Sequence, residues 1–257
     1  MLTSVDILGV RVHSGTTDSV IAHIDDRLRS GLETRVAFLN AHLSNQCARD
    51  REMRRGLRNF LVLNDGIGVD VARWLLYGAK FRENLAGSDF VTAFLDRTAV
   101  DLKIYLLGAR TEVVSRVAER LNRQWPRHEV VGFHHGFLNE DSEKGLAEHI
   151  SRTHPDLVLV GMGNPRQERW IARHVPEVSP FAMAIGAWFD FYSQTMPRAP
   201  QWVRSMRAEW VYRLWREPRR LAGRYLVGNG VFLTRLAGRW LAQHTPLEQG
   251  SGHGRRP

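Results

Sequence analysis

The sequence predicts an α/β fold: a mostly parallel sheet with helices on both faces, Rossmann-like, followed by a C-terminal helical basic appendage. Three observations predict it. Strand-like and helix-like stretches alternate over the first 200 residues. Clusters of glycine and polar residues follow most of the strand-like stretches. The positive charge lies behind that alternation. Positions 201–257 hold 11 Arg, no Lys and 3 Glu, a net of +8. Positions 1–200 hold 25 basic and 24 acidic side chains, so the formal +9 belongs almost wholly to the tail.

Taken in order, Val5–Val12 reads as a strand bent at Gly9, or as half of a small hairpin. Thr17–Ser30 reads as a helix, because Val20, Ile21, Ile24 and Leu28 share a face and Gly31 ends it. Arg35–Leu39 is a strand, with a helix from about Ser44; Phe60–Leu63 is a strand, with a helix over Gly68–Leu76. A further helix covers Ser88–Arg97. Lys103–Leu107, Glu129–Phe133 and Leu157–Val160 are strands, followed by helices over Thr111–Gln124, Asp141–Thr153 and Arg166–Arg173. Phe181–Ile185 is the last strand. From Trp202 the period changes: Trp202, Met206, Trp210 and Leu214 recur at helical spacing, and Pro218 interrupts it. Beyond it, Leu221, Tyr225, Phe232, Leu236 and Trp240 can share one broad face, although Gly228 and Gly230 argue against an unbroken helix. The expected division is an α/β domain over 1–200, a basic amphipathic helical appendage over 201–245 and a disordered tail over 246–257.

Composition narrows the function classes. At 257 residues and 43% hydrophobic, the chain can bury a large core. One cysteine, Cys47, excludes an internal disulfide and a Cys-rich metal site. Asp6 and Arg11 interrupt the N-terminal stretch, which does not read as a signal peptide. No stretch approaches the ~20 apolar residues that a spanning helix requires. Four of the eight Trp, at 202, 210, 215 and 240, stand among the tail arginines. Arginine beside aromatic anchors suits an anionic lipid surface; single-stranded nucleic acid selects a similar mixture.

In a parallel sheet, ligands bind beyond the carboxyl ends of the strands. There the sequence places Asn40-Ala-His42, Asn64-Asp65-Gly66, Gly108-Ala-Arg110, His134-His135-Gly136, Gly161-Met-Gly163-Asn-Pro165-Arg-Gln167-Glu168 and Gly186 through Asp190. Asp65 is the sharpest candidate. An open carboxylate can take a proton from an attacking hydroxyl, while Asn-Asp-Gly is equally good turn chemistry. Gln167 follows Pro165, which suits a helix start; such a start attracts phosphate through its free N–H groups, and the Gln amide can reach a sugar hydroxyl. A plain surface role fits Gln167 as well. His134 and His135 are expected to face opposite ways in an extended segment, which argues against a shared metal. Gly108 and Arg110 stand in a turn that lacks the full Gly-x-Gly-x-x-Gly pattern, so a dinucleotide cofactor is not supported. Asp190 is either a site group or a capping Asp. The substrate-binding set is Asn40, Asn64, Gly108, Arg110, His134, Gly136, Gly163, Gln167 and Asp190. No cofactor is expected. No metal is expected either, since the Asp-x-Asp element that often holds a divalent ion on a diphosphate is missing.

The chain resembles the WecG/TagA/CpsF family of bacterial glycosyltransferases. The resemblance rests on Ile7-Leu-Gly-Val10, Asn40-Ala41, Asn64-Asp-Gly-Ile-Gly68, Ala86-Gly-Ser-Asp89, Tyr105-Leu-Leu-Gly-Ala109 and His134-His-Gly-Phe137. It continues through Gly161-Met-Gly-Asn-Pro-Arg-Gln-Glu168, Gly186-Ala-Trp-Phe-Asp-Phe191, Arg198-Ala-Pro200, and Glu209-Trp-Val-Tyr-Arg-Leu214 leading into Glu217-Pro218. These run in order over residues 5–220. The resemblance implies an inverting transfer from a nucleotide-sugar, a UDP-sugar above all, to a polyprenyl-diphosphate-linked saccharide at the cytoplasmic face of the membrane, for exopolysaccharide, capsule or related surface glycan. It implies that Asp65 is the base, with Gln167 and Asn40 as site groups. Phe38 departs from it, standing where many members have Thr. A polyprenyl acceptor also explains the tail: Arg207, Arg213, Arg219, Arg220 and Arg224 become contacts to an anionic membrane surface or to the lipid diphosphate. A basic nucleic-acid-binding α/β protein is the competing class, and the partner set expected here excludes nucleic acid. The apolar helix stripe is as fit to bury against a sister subunit as against its own core.

Overall fold

The structure, a computed structural model, describes residues 2–175, 177–205 and 209–245. It opens with β1 (Thr3–Ile7) and β2 (Val10–Ser14), paired antiparallel. The opening is thus a full hairpin. Leu8 and Gly9 both take positive φ, 52° and 90°, a reversal whose twist matches the paired strands. Then follow α1 (Thr17–Arg29), β3 (Thr34–Leu39), α2 (Ala41–Arg49), α3 (Arg51–Gly56), β4 (Leu61–Asn64), α4 (Ile67–Tyr77) and α5 (Gly87–Arg97). The next units are β5 (Lys103–Gly108), α6 (Thr111–Gln124), β6 (Glu129–His134), α7 (Glu140–Arg152), β7 (Leu157–Gly161), α8 (Arg166–His174), β8 (Phe181–Ala184) and α9 (Trp188–Tyr192). Four helices end the described chain: α10 (Gln201–Ser205), α11 (Glu209–Arg216), α12 (Pro218–Ala222) and α13 (Gly228–His244). Helix α2 starts three residues earlier than expected, because the Asn40 side chain caps it, accepting from the Leu43 N–H at 3.0 Å.

The sheet order is β1-β2-β4-β3-β8-β7-β5-β6, parallel throughout except for the β1–β2 pair. From β3 the chain steps outward to β4, and from β5 it steps outward to β6 on the other side. These opposed departures leave a crevice over the carboxyl ends of the central strands. Both sheet faces are covered. Tyr105, Leu107 and Val160 belong to one apolar cluster, while Ile104, Leu106 and Leu159 belong to the other. Alternate residues of each strand therefore serve opposite cores.

The C-terminal region divides in two. Helix α13 is part of the core: Phe232 and Leu236 are each 1% exposed and join the cluster of Leu39, Leu43 and Val69. Asn45 Nδ2 donates to the Gly228 carbonyl at 2.7 Å, and Arg235 donates to the Ser44 carbonyl and to Asn45 Oδ1. The chain passes the glycines as helix, with a π turn over Gly223–Val227. That wide turn breaks the 3.6-residue period, so the expected common face does not form. Leu221, Phe232 and Leu236 are buried, but Tyr225 is half-buried and Trp240 is exposed. By contrast α11 buries no residue fully, and Trp202 and Trp215 are 67% and 73% exposed. Among the described residues no helix is long and apolar enough to cross a membrane. Met206, Arg207 and the expected tail at 246–257 lie outside the described residues.

Candidate active site

A cleft of about 1130 Å³ lies over the carboxyl ends of β3, β4, β7 and β8. Asp65 stands on its floor, one residue past β4. Its backbone N–H donates to the Leu39 carbonyl at 2.9 Å, and Asn40 Nδ2 donates to its Oδ2 at 3.4 Å. The following turn is fixed by Asn84 Oδ1, which accepts from the Gly66 N–H at 3.1 Å; Gly66 has φ 86°, which favours glycine. Burial pushes the Asp65 carboxyl above the usual carboxylate range. Asn40, Arg224 and Arg213 pull the other way, and Asp89 adds to the rise. Asp65 thus closes a turn and also presents a carboxyl tuned upward to the cleft. Asn64 is inside the fold instead. It is fully buried, and its Nδ2 donates to the Glu83 carbonyl at 2.9 Å, which ties the 83–84 segment to β4.

The wall beyond β7 and β8 is formed by glycine loops. Gln167 Oε1 accepts from the Gly163 and Gly186 N–H groups, both at 3.1 Å. Gln167 lines the cleft, but its oxygen is committed to the backbone rather than to a ligand. Gly108 stands behind this wall. A Cβ there would lie 2.4 Å from the Gly161 carbonyl oxygen, so the loop closes only around glycine. Gly136 is packed in the same way against Gly108 and Met162. Arg110 is exposed at the start of α6 and lines the rim, and Asp190 lines the cleft from α9. His134 is half-buried outside the cleft. The expectation that it and His135 face apart is corrected: their ring centroids are 4.2 Å apart. Strand β6 ends at His134, so the alternation that would separate them ends there too. Among the described residues no group of three His, Cys, Asp or Glu could hold a metal ion.

Over the floor stand Met196 and residues from the described stretch 209–233, among them Glu209, Trp210, Arg213, Arg224 and Tyr225. The Arg213 guanidinium lies 5.4 Å from the Phe191 ring, and that of Arg224 lies 5.7 Å from the Tyr225 ring. Burial raises the Glu209 carboxyl, with Asp65 and Asp89 adding to it and Arg198 and Arg213 opposing. His42, on the first turn of α2, is pushed down to about 4 by burial and by Arg224, so it is neutral at physiological pH. The first turn of α5 presents Gly87, Ser88 and Asp89. The cleft can therefore do two things: accept a proton at Asp65 and grip an anion with guanidinium groups and helix N–H groups. Of the expected arginines, Arg213 and Arg224 face the cleft, Arg219 is exposed, Arg220 is placed only as part of α12, and Arg207 lies outside the described residues. His42, Asp89 and Glu209 stand in sequence clusters or motifs but were given no role there, and Asn84 was not noted. Glu209 carried a further signal, its helical spacing of four from Arg213. Phe38 is buried against Phe90, with its ring 3.0 Å from the place a Cβ on Gly87 would take. The ring thus needs that glycine.

Comparison with known proteins agrees with this geometry. The profile described as "Glycosyl transferase WecG/TagA/CpsF family" matches residues 5–246. The chain is 33% identical over 162 residues to an N-acetylglucosaminyldiphosphoundecaprenol N-acetyl-beta-D-mannosaminyltransferase of Bacillus spizizenii, covering 62% of each chain. It is 30% identical over 209 residues to the enzyme of the same name from Bacillus subtilis, covering 78% of each.

Proposed function

The chain belongs to the WecG/TagA/CpsF family of glycosyltransferases, and from that premise we propose that it transfers a sugar from a nucleotide donor to a polyprenyl-diphosphate-linked saccharide. The donor is a UDP-sugar of the hexose or N-acetylhexosamine type, and the product feeds a surface glycan. The names of the two Bacillus relatives support the N-acetylhexosaminyl class and the diphosphate-linked lipid acceptor. The single observation that carries the reading is Asp65, a carboxylate with a raised pKa on the cleft floor, faced by Arg213 and Arg224.

The mechanism is one displacement with inversion. Asp65 takes the proton from the attacking acceptor hydroxyl as the donor's anomeric carbon–oxygen bond breaks. The electron pair leaves on the nucleotide diphosphate, whose growing charge is met by arginine and helix N–H groups. One base suffices. A retaining double displacement would need a nucleophile as well. The exposed Trp202, Trp215, Leu226 and Val227, with exposed Arg216 and Arg219, support peripheral docking at the cytoplasmic leaflet. A transfer assay with synthetic prenyl-diphosphate saccharides, a donor panel and excess EDTA tests this. The expected result is transfer from one UDP-sugar, undiminished by EDTA, with inverted anomeric configuration. A retained configuration overturns the single displacement, and tight lipid-independent binding of nucleic acid without transfer overturns the enzyme reading.

A further inference from the structure

Gln167 and Glu168 are adjacent on the first turn of α8, and each is only 2% exposed. Gln167 Oε1 holds the Gly163 and Gly186 N–H groups, and so joins the loop after β7 to the loop after β8. Both glycines take positive φ, 78° and 59°, and a Cβ on either would meet nothing within 4 Å. At these two glycines, therefore, the hydrogen bonds to Gln167 and not side-chain contacts join the two loops. A primary amide has an oxygen on one branch and an NH₂ on the other, and only the oxygen can accept. The sense of the Gln167 amide must be fixed for the two loops to meet.

Glu168 is placed to fix it. Its Oε1 accepts from Gln167 Nε2 at 2.8 Å and from Asn164 Nδ2 at 2.5 Å. Asn164 and Gln167 line the cleft, while Glu168 stands behind it. Its Oε2 is buried with no hydrogen-bond partner among the described residues. The reaction scheme gives this side chain no task. We propose that Glu168 is a positioning residue for sugar transfer: it locks the Gln167 and Asn164 amides, and through Gln167 the Gly163 and Gly186 loops, in the arrangement that walls the substrate cleft. The transfer step in this proposal rests on the function proposed above; the locking does not.

Burial raises the Glu168 carboxyl, outweighing Gln167, Asn164 and the positive charge of Arg224. Whether or not it carries a proton on Oε2, Oε1 can accept from both amides. Glutamine has the same shape, and its side-chain oxygen can accept the same two bonds.

The test uses the full chain with Glu168→Gln, Glu168→Leu, Gln167→Ala and the double variant Gln167→Ala/Glu168→Leu. Glu168→Gln is expected to keep kcat/KM and the slow amide exchange of Gly163 and Gly186. Glu168→Leu is expected to lower kcat/KM by about 10–100-fold, chiefly through KM, the range for buried partners left unsatisfied. It should also expose both glycine amides to exchange. The double variant should lose clearly less than the sum of the two single losses, because both side chains act on the same two glycine loops and only the Asn164 contact is left for Glu168 to lose. Where Glu168→Leu does not fold, Glu168→Asn, one carbon too short to reach, reads the same loss. A folded Glu168→Leu with wild-type kcat/KM and exchange overturns the proposal. So does Glu168→Gln behaving as badly as Glu168→Leu, or strict additivity in the double variant. If the wild type transfers no sugar, the transfer reading fails by itself, and the exchange measurements still decide whether Glu168 locks the loops.

Discussion

On the floor of the cleft, Asp65 is held through its backbone by β3, through its side chain by Asn40, and through the next residue by Asn84. Above it, Arg213 and Arg224 lie over aromatic rings, on a helix and a π turn that bury no residue fully. The floor is tied to the sheet by hydrogen bonds. In the roof the two arginines make ring contacts, each worth about 0.5–1 kcal/mol at exposed sites. The difference suits a transferase whose acceptor diphosphate and donor must enter, react and leave. In the proposed mechanism the reacting base needs one geometry, while the anion grip must open and close. A second contrast runs along the C-terminal region. Helix α13 is anchored in the core by Phe232 and Leu236, whereas α11 rests over the cleft.

The largest effect expected is at the floor. Asp65→Asn keeps the shape and removes the base, and should lower kcat by ~10²–10⁴-fold. Wild-type activity should fall as pH drops through the raised Asp65 pKa, and the variant's residual rate should lack that limb. Stability should move the other way. A carboxyl raised on folding binds its proton more tightly in the native state, so its ionisation costs stability as pH rises from the ordinary carboxylate value through the raised one. At neutral pH the thermal midpoint of Asp65→Asn should equal or exceed that of wild type. Near-wild-type turnover in a folded variant would leave Asp65 as a turn residue alone.

Next is the contrast within the C-terminal region. Phe232→Ala should cost about 3–5 kcal/mol of stability in chemical denaturation, as for any large core side chain. Trp215→Ala should cost almost none. Equal losses would erase the division between α13 and the segment before it.

A smaller effect is expected in the roof. Arg213→Ala with Arg224→Ala should raise the KM of the lipid-diphosphate acceptor by roughly 10–100-fold, as when charge-assisted hydrogen bonds are lost, with kcat less affected. The thermal midpoint should barely move. A marked loss of stability with unchanged KM would make these arginines part of the scaffold. Smallest is the outer surface. Arg216→Glu with Arg219→Glu should weaken co-sedimentation with anionic vesicles by about tenfold or more, at ~1 kcal/mol for each charge near the membrane. Transfer to a short, water-soluble acceptor should stay intact. Unchanged vesicle binding would move the docking surface elsewhere.

Much of this protein was legible in its sequence because the determinants are local. The strands announced themselves as short apolar runs, and the crevice followed from glycine and polar residues that recur after them, since parallel strands leave their carboxyl ends facing one way. Asn40, Asp65, Gly163 and Gln167, which line the cleft, were placed at it on that ground. Their partners were not. That Asn64 turns inward to Glu83, that the His134 and His135 rings come together, and that the Gln167 oxygen reaches the Gly186 loop depend on contacts between segments 19 residues apart or on where a strand stops. The tail shows the same limit. Its charge and helical spacing are sequence properties, but one arginine spacing serves a membrane, a nucleic acid or a cleft equally well. Only packing decided that Arg213 and Arg224 face Asp65, that a π turn breaks the expected stripe, and that Phe232 and Leu236 belong to the core. A period specifies which residues share a face. What that face meets is set by the rest of the chain.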